Sequence, residues 1–395
     1  MKRFYILICA FLCVGAAVSA QENTTTNNES LESRLAKTEK KVAAWSKFQQ
    51  YFKLTGFIQG QYEWHDGDRE NTTSVSTFSL RRARMSITGD LYKGKAGKID
   101  YRFYFDFVRA AKNPILDMWI KYQPCKEFAV QFGQFKNPVT FEASISPSKY
   151  DFIDFSYAVC NLAKMGANDV AGLNVTARDA GFMFLGGFLH REGYSIINYH
   201  IGVLNGNGLN SKDNNKSKDI FGKLTLKPSK DLAFALYYQW GEANLAKFFS
   251  EEQIKGEYGW TGNVEYVDTH RWGGGFNYDG KKAFARGEYI AGLTGLLASE
   301  GMYIEAGKRF HLPKNAGMLW VGGMVDYFCR DCFDYIKRDT KNAAIDMRYS
   351  ICVGYSPVKY FRAQLAYSLE HRINHTFDSN RHFGNGIKLM LTGLF

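Results

Sequence analysis

The chain has 395 residues and a net charge of +11, from 50 lysines and arginines against 39 aspartates and glutamates. It holds 31 Phe, 24 Tyr and 38 Gly but only 7 Pro, and beyond its N-terminus no run approaches the ~20 apolar residues of a membrane-spanning helix. This excludes a bundle of spanning helices. The basic residues alternate with acidic ones rather than cluster, which argues against nucleic-acid binding.

Residues 1–20, MKRFYILICAFLCVGAAVSA, read as a secretory signal peptide. Lys2 and Arg3 form the basic start, an apolar stretch follows, and Val18-Ser19-Ala20 is a small-residue cleavage site. Without Lys2 and Arg3 the net charge falls from +11 to +9. Within 21–52, residues 21–30 are polar and flexible in expectation. Leu31, Leu35, Thr38, Val42 and Trp45 then follow the 4-3-4-3 spacing of a coiled-coil seam. A short periplasmic helix, single or associated, is expected here.

From Lys53 the period becomes two. In KLTGFIQGQYEW, Leu54, Ile58 and Tyr62 alternate with Thr55, Gln59, Gln61 and Glu63. In RRARMSITGDL, Ala83, Met85 and Ile87 oppose Arg82, Arg84, Ser86, Thr88 and Asp90. In KIDYRFYFDF, Ile99, Tyr101, Phe103, Phe105 and Phe107 oppose Asp100, Arg102, Tyr104 and Asp106. An exported soluble β-sandwich could bury one such face. Repetition along nearly every strand, with no helices to cover the sheet, suits lipid outside and water inside.

The segments 53–64, 78–91, 98–108, 115–123, 128–136, 180–190, 194–205, 219–227, 231–241, 269–278, 283–292, 301–310, 318–328, 345–356, 360–370 and 385–395 give sixteen strands. Alternating pieces near 170–177 and 259–267 are left in loops, which keeps the periplasmic turns short and the long connections outside. The fold predicted is an all-β transmembrane antiparallel barrel over 53–395. Its connection at 137–179 is long enough to be functional. FIDFSYAV within it is too apolar for a solvated loop, so the segment is expected to fold into the lumen. The chain ends on the alternating strand GNGIKLMLTGLF, which places Phe395 at an aromatic girdle.

FSLRRARMSITGDLYKG, LDMWIKYQP, VQFGQFKNPVTFE, YHIGVLNGNG and ARGEYIAG occur in that order, and the chain ends on Phe395. Together they resemble the phosphate-selective porin O and P family of outer-membrane channels. The resemblance implies a sixteen-stranded homotrimeric barrel in the bacterial outer membrane, with an arginine-lined anion path and a lysine-bearing constriction. It also implies a terminal aromatic read by the barrel-insertion machinery. GQFKNP places Lys136 at the entrance to the constriction loop, and RRAR supplies Arg82 and Arg84.

Strand parity turns Arg82, Arg84, Arg102, Lys121, Arg286, Arg348 and Arg362 inward. It turns Asp90, Asp100, Asp106, Asp117, Glu288, Asp326, Asp346 and Glu370 inward too. The loop bears Lys149 and Lys164 but also Glu142, Asp151, Asp154 and Asp169. The lumen is therefore mixed in charge, and its arginines serve either the path or wall ion pairs. The function expected is passive diffusion of small hydrophilic solutes, with anions favoured and phosphate-like anions among them. A plugged structural or adhesive barrel and a barrel hydrolase are the alternatives.

For a hydrolase, His371 and His375 share a strand face but sit at a strand end, Ser379 and His382 are near in sequence, and no GxSxG occurs. No cofactor is expected. Five cysteines follow the leader, an odd number that excludes a fully paired framework. The close pair Cys329 and Cys332 reads as a disulfide or two free thiols, and only Asp331 and Asp334 stand near it as metal ligands.

Overall fold

The computed structural model describes residues 31–66, 74–109, 114–165, 169–170, 176–213, 216–244, 266–334, 344–374 and 382–395. The chain divides into two units, residues 1–50 and Tyr51–Phe395. The signal sequence and the polar stretch 21–30 lie outside the described residues. The first unit contributes helix α1 (Leu31–Tyr51), rich in the straight-chain formers Leu, Glu, Lys and Ala. Leu35 and Val42, two of the seam residues, are exposed in the single chain. The side chains of Leu31 and Trp45 lie outside the description.

The second unit is a closed barrel in which every strand pairs antiparallel with its sequence neighbours and β1 closes on β16. The strands are β1 (Lys53–His65), β2 (Val75–Gly94), β3 (Gly97–Asp106), β4 (Ile115–Gln123), β5 (Ala129–Lys136), β6 (Arg178–Arg191), β7 (Tyr194–Leu204) and β8 (Asp219–Leu226). They continue as β9 (Leu232–Asn244), β10 (Tyr266–Asp279), β11 (Ala283–Thr294), β12 (Leu297–His311), β13 (Met318–Asp334), β14 (Ala344–Val358), β15 (Phe361–Asn374) and β16 (His382–Leu394). All sixteen predicted strands are present.

Strand β9 shows why the sequence closes this way. Phe234, Leu236 and Tyr238 stand on the outer surface, while Ala233, Ala235, Tyr237 and Gln239 are buried inside. The outer face meets lipid, and closure leaves no edge unpaired. The backbone completes the ring at its last residue. The Gly56 N–H donates to Phe395 O at 2.9 Å, and the Phe395 N–H donates to Gly56 O at 3.0 Å. A Cβ at Gly56 would lie 2.4 Å from the Phe395 ring, so glycine admits the terminal aromatic.

At one end the connections are short, from 95–96 to 312–317, and both ends of the barrel chain lie on that side. At the other end they run longer, and 137–177 is the longest. Many strands run past their expected ends, and three of the differences change what lies in the wall or the loops. β6 starts at Arg178, so Arg178 belongs to the wall. β13 runs on to Asp334, which shortens the next connection to 335–343. β11 and β12 meet in a two-residue turn at Gly295-Leu296. Tilted barrel strands project beyond the bilayer, and the projecting part carries no alternation to mark it in sequence. Of the two pieces left in loops, Thr176 and Ala177 form a turn and Tyr266 and Val267 open β10. Their remaining residues lie outside the description, except Val170, which is a turn.

Bulges break strict alternation. Gln59 opposes Arg82 and Gly60 opposes Leu80, so Arg81 is an extra residue in β2. Between β3 and β4 the extra residue is Leu116, and both Leu116 and Asp117 are buried.

Candidate functional site: the narrowed lumen

The connection after β5 lies inside the barrel. It carries two short helices, α2 (Phe141–Ser144) and α3 (Tyr157–Leu162). Thr140 caps α2 by accepting from the Ala143 N–H, and Ser156 caps α3 by accepting from the Val159 N–H. Val139, Ala143, Ala158, Val159 and Leu162 pack with Tyr237, Ile290, Tyr303 and Phe328 of the wall. A second cluster joins Tyr150, Phe152 and Phe155 to Phe284 and Trp320. A loop with this apolar content loses its surface to water only by seating against a wall.

Wall side chains from β11 to β16 satisfy the loop's backbone. Glu288 accepts from the Phe141 and Glu142 N–H groups at 2.7 and 3.0 Å. Asp326 accepts from the Tyr157 N–H at 2.6 Å and from Arg348 at 2.9 Å. Thus two wall carboxylates receive the free N–H groups of the two helix starts. Arg348 also donates to Phe155 O, and Arg362 donates to Ser148 O and Tyr150 O. Trp320 Nε1 donates to Asp151 O at 3.0 Å, and Arg309 pairs with Asp151. Asp154 is held by Lys388 at 2.8 Å and Arg81 at 2.7 Å. Burial alone would raise the Asp154 carboxyl, but Lys388 and then Arg81 hold it well below the usual carboxylate range. Arg286 pairs with Glu305, both buried, beside the Tyr150 ring.

The wall from β2 to β6 differs. Arg84 pairs with Asp106 at 2.8 Å, and Arg178 and Arg102 share Asp117 at 2.6 and 3.5 Å. The guanidiniums of Arg84, Arg102 and Arg178 lie 5.8, 4.4 and 5.7 Å from the ring centroid of Tyr104. Among the described residues, the Arg82 side chain donates to the neutral Gln59 Oε1, at 2.9 Å, and pairs with no carboxylate. Lys136 stands opposite Arg178 in the β5–β6 register, 6.0 Å from the Phe155 ring centroid, with no ion pair or hydrogen bond among the described residues. Five cations (Arg82, Arg84, Arg102, Lys136 and Arg178) thus face two paired carboxylates.

The sequence-derived cations therefore fall into separate groups. Arg82, Arg84, Arg102 and Lys136 come together. Arg286, Arg348 and Arg362 sit across the lumen and bind the loop or pair with carboxylates. Lys121 pairs with Asp100 at 3.3 Å, which Lys98 also contacts. Lys149 is exposed on the loop. Lys164 is tied to Asp219 at 2.8 Å; burial opposes its charge, but Asp219 outweighs burial and raises its pKa. Arg81, Arg178 and Lys223, which donates to Pro138 O at 2.8 Å, are further lumen cations, and of these Lys223 is marked by the alternation of Phe221, Lys223 and Thr225 against Ile220, Leu224 and Leu226. Alternation sends Arg81 outward, and only the bulge reverses it.

One histidine makes contacts that the sequence did not suggest. His190 lies 2.8 Å from Ser195 Oγ through Nδ1 and 2.6 Å from Glu127 Oε1 through Nε2, bridging two short turns. Gly187 N–H, beside Ser195, is spent on Lys126 O, and Glu127 is half exposed. His375 and Ser379 lie outside the described residues, as does the His382 side chain. No group of three or more His, Cys, Asp or Glu among the described residues is placed to hold a metal. All five cysteines of the barrel are free thiols.

No curated protein matches the chain. Among solved structures, an anion-selective porin from Comamonas acidovorans is similar at a TM-score of 0.60 and 10% identity, covering 87% of this chain and 99% of that one. The outer-membrane channel DcaP of Acinetobacter baumannii is similar at 0.58 and 14%, covering 87% and 97%. The trimer form of OmpT of Vibrio cholerae is similar at 0.59 and 10%, covering 87% and 99%. At such identities these likenesses speak for the fold. The family model described as phosphate-selective porin O and P matches residues 52–298. With that match over more than half its length, on a closed sixteen-stranded barrel, the chain belongs to the phosphate-selective porin O and P family and is a porin of the bacterial outer membrane.

Proposed function

We propose that the channel prefers anions, and that Arg82 and Lys136 are its main stations. The observation that carries this is the pair of uncompensated cations on the β2–β6 wall, where Arg84, Arg102 and Arg178 only balance or exceed their two carboxylates. Arg82 and Arg84 are two residues apart, ~7 Å along a strand. In water two like charges at that distance repel by about 0.6 kcal/mol. A monovalent anion passing ~5 Å from one such charge gains about 0.8 kcal/mol and a cation loses as much, so each station favours the anion by more than roughly tenfold at low salt. Binding at this level is weak enough for release.

The test is single-channel recording in a salt gradient. Arg82→Ala with Lys136→Ala should move the reversal potential toward cations, most at low ionic strength. An unchanged reversal potential would refute the assignment. Absence of any conductance in the native protein would favour a plugged barrel, for which the apolar packing of the loop is the supporting feature. Arg84, Arg102, Lys121 and Lys149 shape the field along the path, whereas Arg286, Arg348, Arg362 and Lys164 fix the loop. The same reading has residues 1–20 removed on export and Phe395 recognised by the insertion machinery. It assembles the barrel as a homotrimer, a form the OmpT neighbour takes.

A further inference from the structure

We propose that Cys329 and Cys332 are a thiol–disulfide exchange site at the outer end of β13. Residues three apart on a regular strand point to opposite faces and cannot bond. Here the register between β12 and β13 slips. Ser299 opposes Arg330 and Ala298 opposes Phe333, which leaves Asp331 and Cys332 as extra residues. Asp331 takes the left-handed conformation with φ 55°. That reversal brings Cys332 back toward Cys329: Cys332 Sγ reaches Ala298 O, two residues along β12 from Glu300, which stands opposite Cys329. The position lies at the long-loop end of the barrel, which faces the cell exterior.

The two sulfurs are not equivalent. Cys329 is 2% exposed, whereas Cys332 is half-buried and rests its Sγ on Ala298 O at 3.3 Å. Cys332 is therefore the entering thiol and Cys329 the resolving one. The Cys332 thiolate attacks a sulfur of an external disulfide, whose S–S bond breaks and releases one thiolate. The Cys329 thiolate then attacks Cys332 Sγ, the mixed disulfide breaks, and the second external thiolate leaves. The protein loses two electrons and two protons, and the external disulfide becomes two thiols. The substrate class is a small disulfide or the accessible disulfide of an exported oxidase. The product fastens the bulge at the root of the outer connection 335–343.

Oxidised glutathione serves as the probe on the full-length protein folded in detergent, with heat-modifiable mobility confirming the barrel. After exposure, denaturation and alkylation, mass spectrometry should find Cys329 and Cys332 joined while Cys125, Cys160 and Cys352 are alkylated. A phosphine reductant should restore both thiols. In Cys329→Ser, Cys332 should retain bound glutathione, and in Cys332→Ser, Cys329 should stay free. Alkylation of both thiols after oxidation, or glutathione left on Cys332 in the native protein, would overturn the proposal. Equal uptake of glutathione by Cys329 in Cys332→Ser would overturn the assigned order.

Discussion

The seat of the inner loop contains one proton more than its side chains supply when ionised. Tyr150 Oη lies 2.8 Å from Glu305 Oε2 and closer still to Glu142 Oε1. A phenol has one hydrogen, so it serves one of these contacts, and the other needs a protonated carboxyl. Glu142 is the natural holder. It is fully buried, whereas Glu305 pairs with Arg286, and the bonds Glu142 accepts from the Ser156 N–H and Oγ oppose the proton without outweighing burial. Burial first, and the charge of Glu305 second, push its pKa up to about 8. The groups facing it include Asp151 of the loop and Arg286, Glu288, Asp326 and Arg348 of the wall, so anions are not outnumbered.

The sign follows from this elevation. A carboxyl that titrates higher in the seated loop than in water favours seating at low pH, and that advantage is lost as pH rises through the folded value. Between the ordinary 4.5 and about 8, each pH unit weakens seating by about 1.4 kcal/mol. Amide exchange across 139–162 should therefore speed up from pH 5 to pH 8, beyond the intrinsic base catalysis read from the barrel strands. Glu142→Gln keeps an acceptor for Ser156 and a donor for Tyr150 without a titrating proton, so it should flatten that dependence. An equal pH slope in the variant, or tighter protection at pH 8 than at pH 5, would refute the proton count.

Other outcomes follow from the same contacts. Gly354 admits the Trp320 ring, and a Cβ there would lie 1.9 Å from Cζ2, so Gly354→Ala should lower the heat-modification temperature by the equivalent of ~1–3 kcal/mol. Deleting Phe395 removes both backbone bonds to Gly56 and should reduce folded protein in the outer membrane while export continues, as fractionation would show. Removing residues 21–50 should reduce the mass and heat resistance of the detergent-extracted assembly if α1 joins three barrels, and unchanged values would exclude that role. His190 reads as a clamp between turns rather than a catalytic base, so Ser195 should remain unlabelled by a fluorophosphonate.

The barrel was legible because lipid and water impose opposite demands on alternate residues of each strand. The order of the strands therefore follows from period, and their number follows once the rule of short periplasmic turns sets aside two further alternating pieces. Most of the inward-facing cations were legible by alternation, Arg82 and Arg348 among them. What the rule cannot reach is the job each one does. Arg348 and Arg82 look alike in sequence, yet one meets Asp326 and Phe155 O, and the other meets Gln59. That difference depends on where a chain segment nearly 200 residues away comes to rest. Bulges are the second gap. A single extra residue at Arg81, or two at Asp331 and Cys332, changes faces without a distinctive residue type, and both produced contacts that alternation denies.

On the proposed reading, the inner loop also decides the sign of the lumen. Glu288 and Asp326 would be lumen anions in an empty barrel and would offset the arginines beside them. Once the loop is seated they are occupied by backbone N–H groups and by Arg348, away from water. Asp154 is likewise consumed by Arg81 and Lys388. Glu288 and Asp326 are thus spent on holding the loop, while the β2–β6 wall keeps Arg82 and Lys136 without a carboxylate partner among the described residues. A protein with mixed charge on nearly every strand can in this way present a net positive face to the solute. It follows that displacing the loop should weaken selectivity even with every pore cation intact. Ala158→Phe would test this, because the buried Ala158 packs against Gly301 of the wall, so the change unseats the loop while Glu288 and Asp326 keep their charge, and the reversal potential should move toward cations. An unchanged reversal potential would mean that loop seating does not set the selectivity.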